Sequence, residues 1–171
     1  MKNDWEVFEK IMSVIQILIG FIIIALLIWS VNLNLNRLFE FFDYTWEDVS
    51  VIKLIKNNHF TALLGVIAII GGVGWFFYKT LGWLLSFMFW FLLGFTITLG
   101  AFKELKQEPN VYIAIEEYWI YYSSIFASFF MSVLLFLSFF WTKYKPKKKQ
   151  LIIFGIIFLV LVIDRTILSF Q

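Results

Sequence analysis

Asp164 and Arg165 stand side by side in an otherwise apolar stretch, and theirs is the chemistry in this chain that most needs a physical account. If that stretch crosses a bilayer, a charge at its centre costs roughly 2.5 to 3.5 kcal/mol on insertion scales, so such residues are paired, placed at an edge or used. Arg165 falls within one or two turns of the far edge and can carry its guanidinium out to a headgroup layer. Asp164 has a short side chain and needs a partner inside the protein. Adjacent positions on a helix diverge by about 100°, so the two do not form a simple pair with each other. They are a candidate intramembrane polar site, for which a tolerated helix-end charge is the simpler reading.

Other residues with chemical potential are sparse. There is no cysteine, which excludes disulfides, thiolate nucleophiles and Cys-type zinc sites. The single histidine, His59, has no carboxylate or second histidine at ligand spacing and is expected to be an interfacial loop residue. Glu116 and Glu117 are adjacent, so on a helix they point apart and do not face one substrate together. Hydrolysis within a membrane needs a nucleophile with its base or a pair of aspartates, and no such set is visible, so enzyme activity, metal and cofactor are not expected. Ser124, Ser128 and Ser132 recur at helical spacing with Ala127 beside them, and Gly65, Ala68 and Gly72, with Gly71 and Gly74, make a similar small face. Small residues let helices approach closely, so both faces are read as packing surfaces that meet one another, with a pore or substrate lining as the rival. Lys145, Lys147, Lys148 and Lys149 form a basic loop whose position explains it as a topology signal, with lipid contact a by-product and no nucleic-acid partner implied.

The elements that must position these residues follow from composition. With 61% hydrophobic residues, 22% aromatics, 15% charges and a mean hydropathy of +0.85, the chain has too little polar surface for a soluble domain of its size. It reads as an all-α, polytopic membrane bundle forming a single domain, with spans at about residues 11–31, 60–77, 81–102, 118–141 and 151–170. Residues 61–102 carry one charge, Lys79; as one helix they would measure about 63 Å, so the chain must fold back, and Lys79-Thr80 with Gly82 beyond is the expected turn. Trp75, Tyr78 and Trp83 around that turn, and Tyr118, Trp119, Tyr121, Tyr122, Trp141 and Tyr144 around the fourth span, are expected to form interfacial belts. The fifth span is the least secure, because Asp164 and Arg165 interrupt it after thirteen apolar residues. The lead-in to the first span mixes Lys2 and Lys10 with Asp4, Glu6 and Glu9 and no A-x-A site follows Trp29, so a retained anchor is expected.

In the outer loop at residues 32–59, Thr45 and Asp48 have the spacing of a helix cap, and a short interfacial helix is expected from Trp46 to Lys56, ended by Asn57-Asn58. Pro109-Asn110 breaks the second outer loop, residues 103–117. Basic residues concentrate on one side, led by the lysine run, which places the N-terminus in the cytoplasm and, after five spans, the C-terminus outside. Lysine supplies twelve of the fourteen basic residues, a usage typical of AT-rich bacterial genomes, so the expected location is a bacterial inner membrane. The expected role is a small non-catalytic accessory or scaffold subunit, in envelope assembly, secretion or phage defence alike. Its partners would be the lipid bilayer, other membrane or membrane-associated proteins, or further copies of itself. The rival is a small oligomeric channel or transporter built on the serine and glycine faces. Single cysteines at Asn34, Asn57 and Lys106 should react with an impermeant maleimide in intact spheroplasts, while those at Lys79 and Lys147 should not. Outside labelling at position 147 would reverse the orientation.

Overall fold

A computed structural model of the chain describes residues 2–41, 45, 49–107 and 115–169. All regular structure among them is helical: α1 (Lys2–Phe41), α2 (Val51–Phe77), α3 (Lys79–Gln107), α4 (Ile115–Phe136), α5 (Ser138–Tyr144) and α6 (Lys148–Ser169). Every one of these except α5 is long and apolar enough to cross a membrane. The helices run up and down in sequence order, α2 packing on α1, α3 on α2, and both α4 and α6 on α3.

Several boundaries differ from those expected. α1 does not stop near residue 31; its 40 residues continue to Phe41 and measure about 60 Å, twice the roughly 30 Å of a hydrocarbon core. Among the described residues no separate interfacial helix precedes α2. Thr45 lies outside any helix, Trp46 to Asp48 are outside the described residues, and α2 starts at Val51, where the Ser50 hydroxyl accepts the Lys53 amide at 3.3 Å. Asn57-Asn58 does not end that helix, because the Asn58 side chain donates back to the Leu54 carbonyl at 2.8 Å and so bonds along the helix. The Pro109-Asn110 break lies outside the described residues.

The α2–α3 turn is tighter than the one expected at Lys79-Thr80. Tyr78 alone is non-helical, and its amide closes on the Gly74 carbonyl at 2.7 Å. Gly82 serves packing rather than turning: a methyl group there would overlap the backbone of Gly74 and Trp75. The stretch expected as the fourth span is also not one straight helix. It breaks at Leu137, whose ψ of 148° is extended, and resumes as α5. Trp83 Nε1 donates to the Leu135 carbonyl at 2.7 Å and thus satisfies an acceptor that the break has freed. α5 ends at Lys145, in the left-handed region at φ 40°, with its amide on the Trp141 carbonyl at 3.1 Å. Lys148 and Lys149 then belong to the first turn of α6, which leaves residues 145–147 as the basic loop. α6 passes through Asp164 and Arg165 without interruption.

The core clusters at the end of the bundle that carries the α2–α3 turn. Trp75 and Trp83 are buried there, as is Tyr144, so three rings expected in an interfacial belt form an internal plug instead. Tyr144 stacks on Trp83 at 5.8 Å between centroids and meets Trp75 edge-on at 5.6 Å. Tyr78, Trp119 and Tyr122 do remain exposed. Gly82→Ala should destabilise the fold by about 1 to 3 kcal/mol, as overpacking does. Gly100→Ala, where an added methyl meets nothing within 4 Å, should be neutral or gain up to about 1 kcal/mol from helix propensity. Equal thermal melts for the two variants in detergent would refute this account of the hairpin.

Candidate functional site

Two polar centres lie at opposite ends of the bundle. The first was not expected to be a site. Glu9, read above as part of a charged lead-in, is only 4% exposed. Lys143 Nζ and the Tyr144 hydroxyl both donate to its Oε1, and Lys79 Nζ stands 3.7 Å from its Oε2. One carboxylate on α1 thereby ties together the first turn of α3 and the end of α5, which supplies the pairing that a buried charge requires. Burial, then the bond to Glu9 and its charge, push the Tyr144 hydroxyl above its ordinary value of 10.0, so it stays neutral and keeps donating.

The polar line continues along α1. The Ser13 hydroxyl donates to the Gly72 carbonyl at 2.5 Å, and Gln16 Nε2 donates to the Ala68 carbonyl at 3.1 Å. Both side chains are fully buried. The sequence did hold a signal for this line: Glu9, Ser13, Gln16 and Gly20 recur at i, i+4, i+7 and i+11, one face of a helix. On α3, the Ser86 hydroxyl accepts the Trp75 indole N–H at 2.6 Å, which joins the same end of the core.

The second centre holds the residue pair singled out from sequence. Asp164 Oδ2 lies 3.0 Å from His59 Nε2, so the partner that Asp164 needs is a histidine 105 positions away. His59 is therefore not an isolated loop residue; it sits on α2. Its Nδ1 faces the Lys56 carbonyl at 2.8 Å, which only accepts, so Nδ1 carries a hydrogen. Nε2 faces the carboxylate, which accepts a hydrogen bond from it whenever Nε2 carries a proton. Arg165 lies with its guanidinium 5.4 Å from the centre of the Phe60 ring, a cation–π contact, and its Nε is buried without a hydrogen-bond partner among the described residues. The expected reach to headgroups is thus replaced in part by a ring inside the bundle.

The small faces lie against neighbouring helices, but they do not meet one another. Gly65 and Gly72 on α2 face α1, where added methyls would lie 2.7 Å from Ile24 and 2.8 Å from the Ser13 carbonyl. Gly71 and Gly74 face α3. The serines of α4 pack on α3 instead: a methyl on Gly94 would lie 3.1 Å from the Ser128 Cβ. Ser128 and Ser132, each 2% exposed, donate to the Ser124 and Ser128 carbonyls. Among the described residues no three His, Asp or Glu side chains converge as a metal site would require. Comparison of the chain with protein families, with curated proteins and with solved structures finds no match.

The two centres differ in what their loss should cost. Glu9→Leu removes the buried carboxylate that Lys143 and Tyr144 share and should destabilise the bundle by about 2 to 4 kcal/mol, near the range for a broken buried pair. Asp164→Asn acts on a pair whose side chains are 31% and 35% exposed and should cost about 0 to 1 kcal/mol. Reversal of that order in detergent melts would show that the fold is anchored at the other end.

Proposed function

We propose that the chain is a non-catalytic integral membrane protein of five spans that works as an accessory or scaffold subunit of a larger membrane-associated system. The observation that carries this reading is the use of its interior polar groups. Glu9, Ser13, Trp75, Trp83, Ser128 and Ser132 each bond to a backbone carbonyl or to a side chain of the bundle, holding it together or closing on their own helix. The surface left to partners is chiefly the exterior. Its supply is large: the outward sides of α4 and α6 expose Phe126, Phe130, Ile156, Leu159 and Ile163 among others. In lipid such surfaces are compatible with the bilayer and with helices of a partner or of a second copy.

The proposed location is a bacterial cytoplasmic membrane with the N-terminus inside. Support comes from Lys79 and Lys143 meeting at Glu9, at the end of the bundle where Lys145 and Lys147 also fall. Lys53 and Lys56 belong to the first turns of α2, at the opposite end. The end richer in basic residues is the one the positive-inside rule orients toward the cytoplasm.

Liposomes holding the purified protein should show no ion leak above that of empty vesicles. Ser128→Leu should destabilise the fold by about 1 to 3 kcal/mol, as expected of an overpacked helix contact. A wild-type leak that is lost in a fully folded Ser128→Leu protein would replace the scaffold by a channel.

A further inference from the structure

We propose that the outer half of the α1–α2 seam is a binding groove for one phospholipid with an anionic headgroup. The inference rests on the membrane reading above.

The seam has two regimes. Near its middle the helices touch backbone to backbone, since a methyl on Gly20 would lie 2.9 Å from the Gly65 carbonyl oxygen. Beyond that crossing the glycines stop. The facing positions become Ala25, Ile28 and Trp29 on α1 and Leu54, Asn58 and Ala62 on α2, and the helices enclose a groove of about 880 Å³ instead of closing. That volume lies within the roughly 300 to 1,000 Å³ typical of small-molecule pockets. A second cleft of about 530 Å³ continues it toward the helix ends and shares Val31, Leu35, Leu54 and Asn58 with the first.

The lining changes character along this path. The first cleft is chiefly apolar, with Asn32, Asn58 and His59, the partner of Asp164, as its polar members. The continuation is lined by Asn34, Ser50, Lys53, Asn57 and Asn58, which bring amide donors, a hydroxyl and an ammonium. Among the described residues that line the two clefts there is one lysine and no carboxylate. An apolar slot that opens onto donors and a positive charge matches an acyl chain below a phosphate.

Length separates this occupant from a partner helix. Ala25 to Leu38, the span of α1 lining the clefts, measures about 20 Å at 1.5 Å per residue. One leaflet contributes about 15 Å of hydrocarbon before the headgroups begin. A transmembrane helix docking here would need a track of about 30 Å, and the Gly20–Gly65 contact closes this one halfway.

The test uses the full chain in mild detergent, incubated with phosphatidylglycerol or phosphatidylcholine and examined by native mass spectrometry. The wild-type protein should retain one phosphatidylglycerol, preferred over phosphatidylcholine by about fivefold, the effect of one lysine near an anionic surface. Ala62→Trp, which fills the apolar end, should lose that adduct while keeping its thermal melt. Lys53→Gln should keep lipid binding and lose the headgroup preference. If Ala62→Trp does not fold, Ile55→Trp, at an exposed position on the same wall, makes the same comparison. Undiminished phosphatidylglycerol in a folded groove-filling variant would overturn the proposal. So would a photoreactive side chain at Ile28 that cross-links in cells to a protein and not to lipid. A chain that resists alkaline extraction from membranes yet binds no lipid sinks the groove alone, whereas release by alkali sinks the membrane reading itself.

Discussion

The close approach of α2 to two neighbours at once is the constraint on which the rest of the structure depends. Gly65 and Gly72 bring α1 to backbone contact on one side, and Gly74 meets Gly82 of α3 on the other, where an added methyl would lie 2.8 Å from the Gly82 Cα. In an apolar solvent, helices gain little from hiding hydrophobic surface, so contact area and short polar bonds between backbones must supply the attraction. Small residues make that contact available. Ser13 and Gln16 exploit it, because their side chains reach α2 carbonyls only when the helices lie this close.

The Glu9 cluster is a second-order product of the same packing. Once α1 is seated on α2 and the hairpin turns at Tyr78, Glu9 comes to the beginning of α3 and faces Lys79. The break at Leu137 then lets α5 fold Phe140 and Tyr144 over the end of the core, and Lys143 brings a second ammonium to the same carboxylate. Aromatic rings that hydropathy alone would place at a headgroup layer become the lid of the bundle. Their indole N–H groups find Ser86 and the Leu135 carbonyl, so their burial leaves those donors satisfied.

At the opposite end the seam loosens, and the character of the molecule changes with it. α6 is attached chiefly to α3 through tilted and edge-on phenylalanine contacts, Phe87 and Phe91 against Phe154 and Phe158. It reaches α2 through the His59–Asp164 pair and the Arg165–Phe60 contact. His59 gives the carboxylate a hydrogen-bond partner inside the bundle, which makes an acidic side chain tolerable within a largely apolar helix. One end of the bundle is thus closed by aromatic packing and buried charge, while the other is open, amide-rich and only partly buried.

The number of long apolar helices, their order and the need for a reversal near Lys79 were legible in the sequence, because they depend on composition summed over some twenty residues and on the thickness of a bilayer. That Gly65, Gly72 and Ser128 lie on small faces where helices can approach closely was legible too, from the spacing of small side chains. Which faces meet was not. The α2 glycines and the α4 serines carry no mark that assigns one to α1 and the other to Gly94. The Glu9 stripe was visible as spacing but hidden by its place in a charged lead-in. Whether Trp75 and Tyr144 lie at an interface or in the core depends on a break at Leu137 that has neither Pro nor Gly to announce it. His59 and Asp164, separated by 105 positions, become partners through helix packing alone. Periodicity is a property of each segment by itself, whereas a pairing between segments exists only once tertiary structure has brought them together.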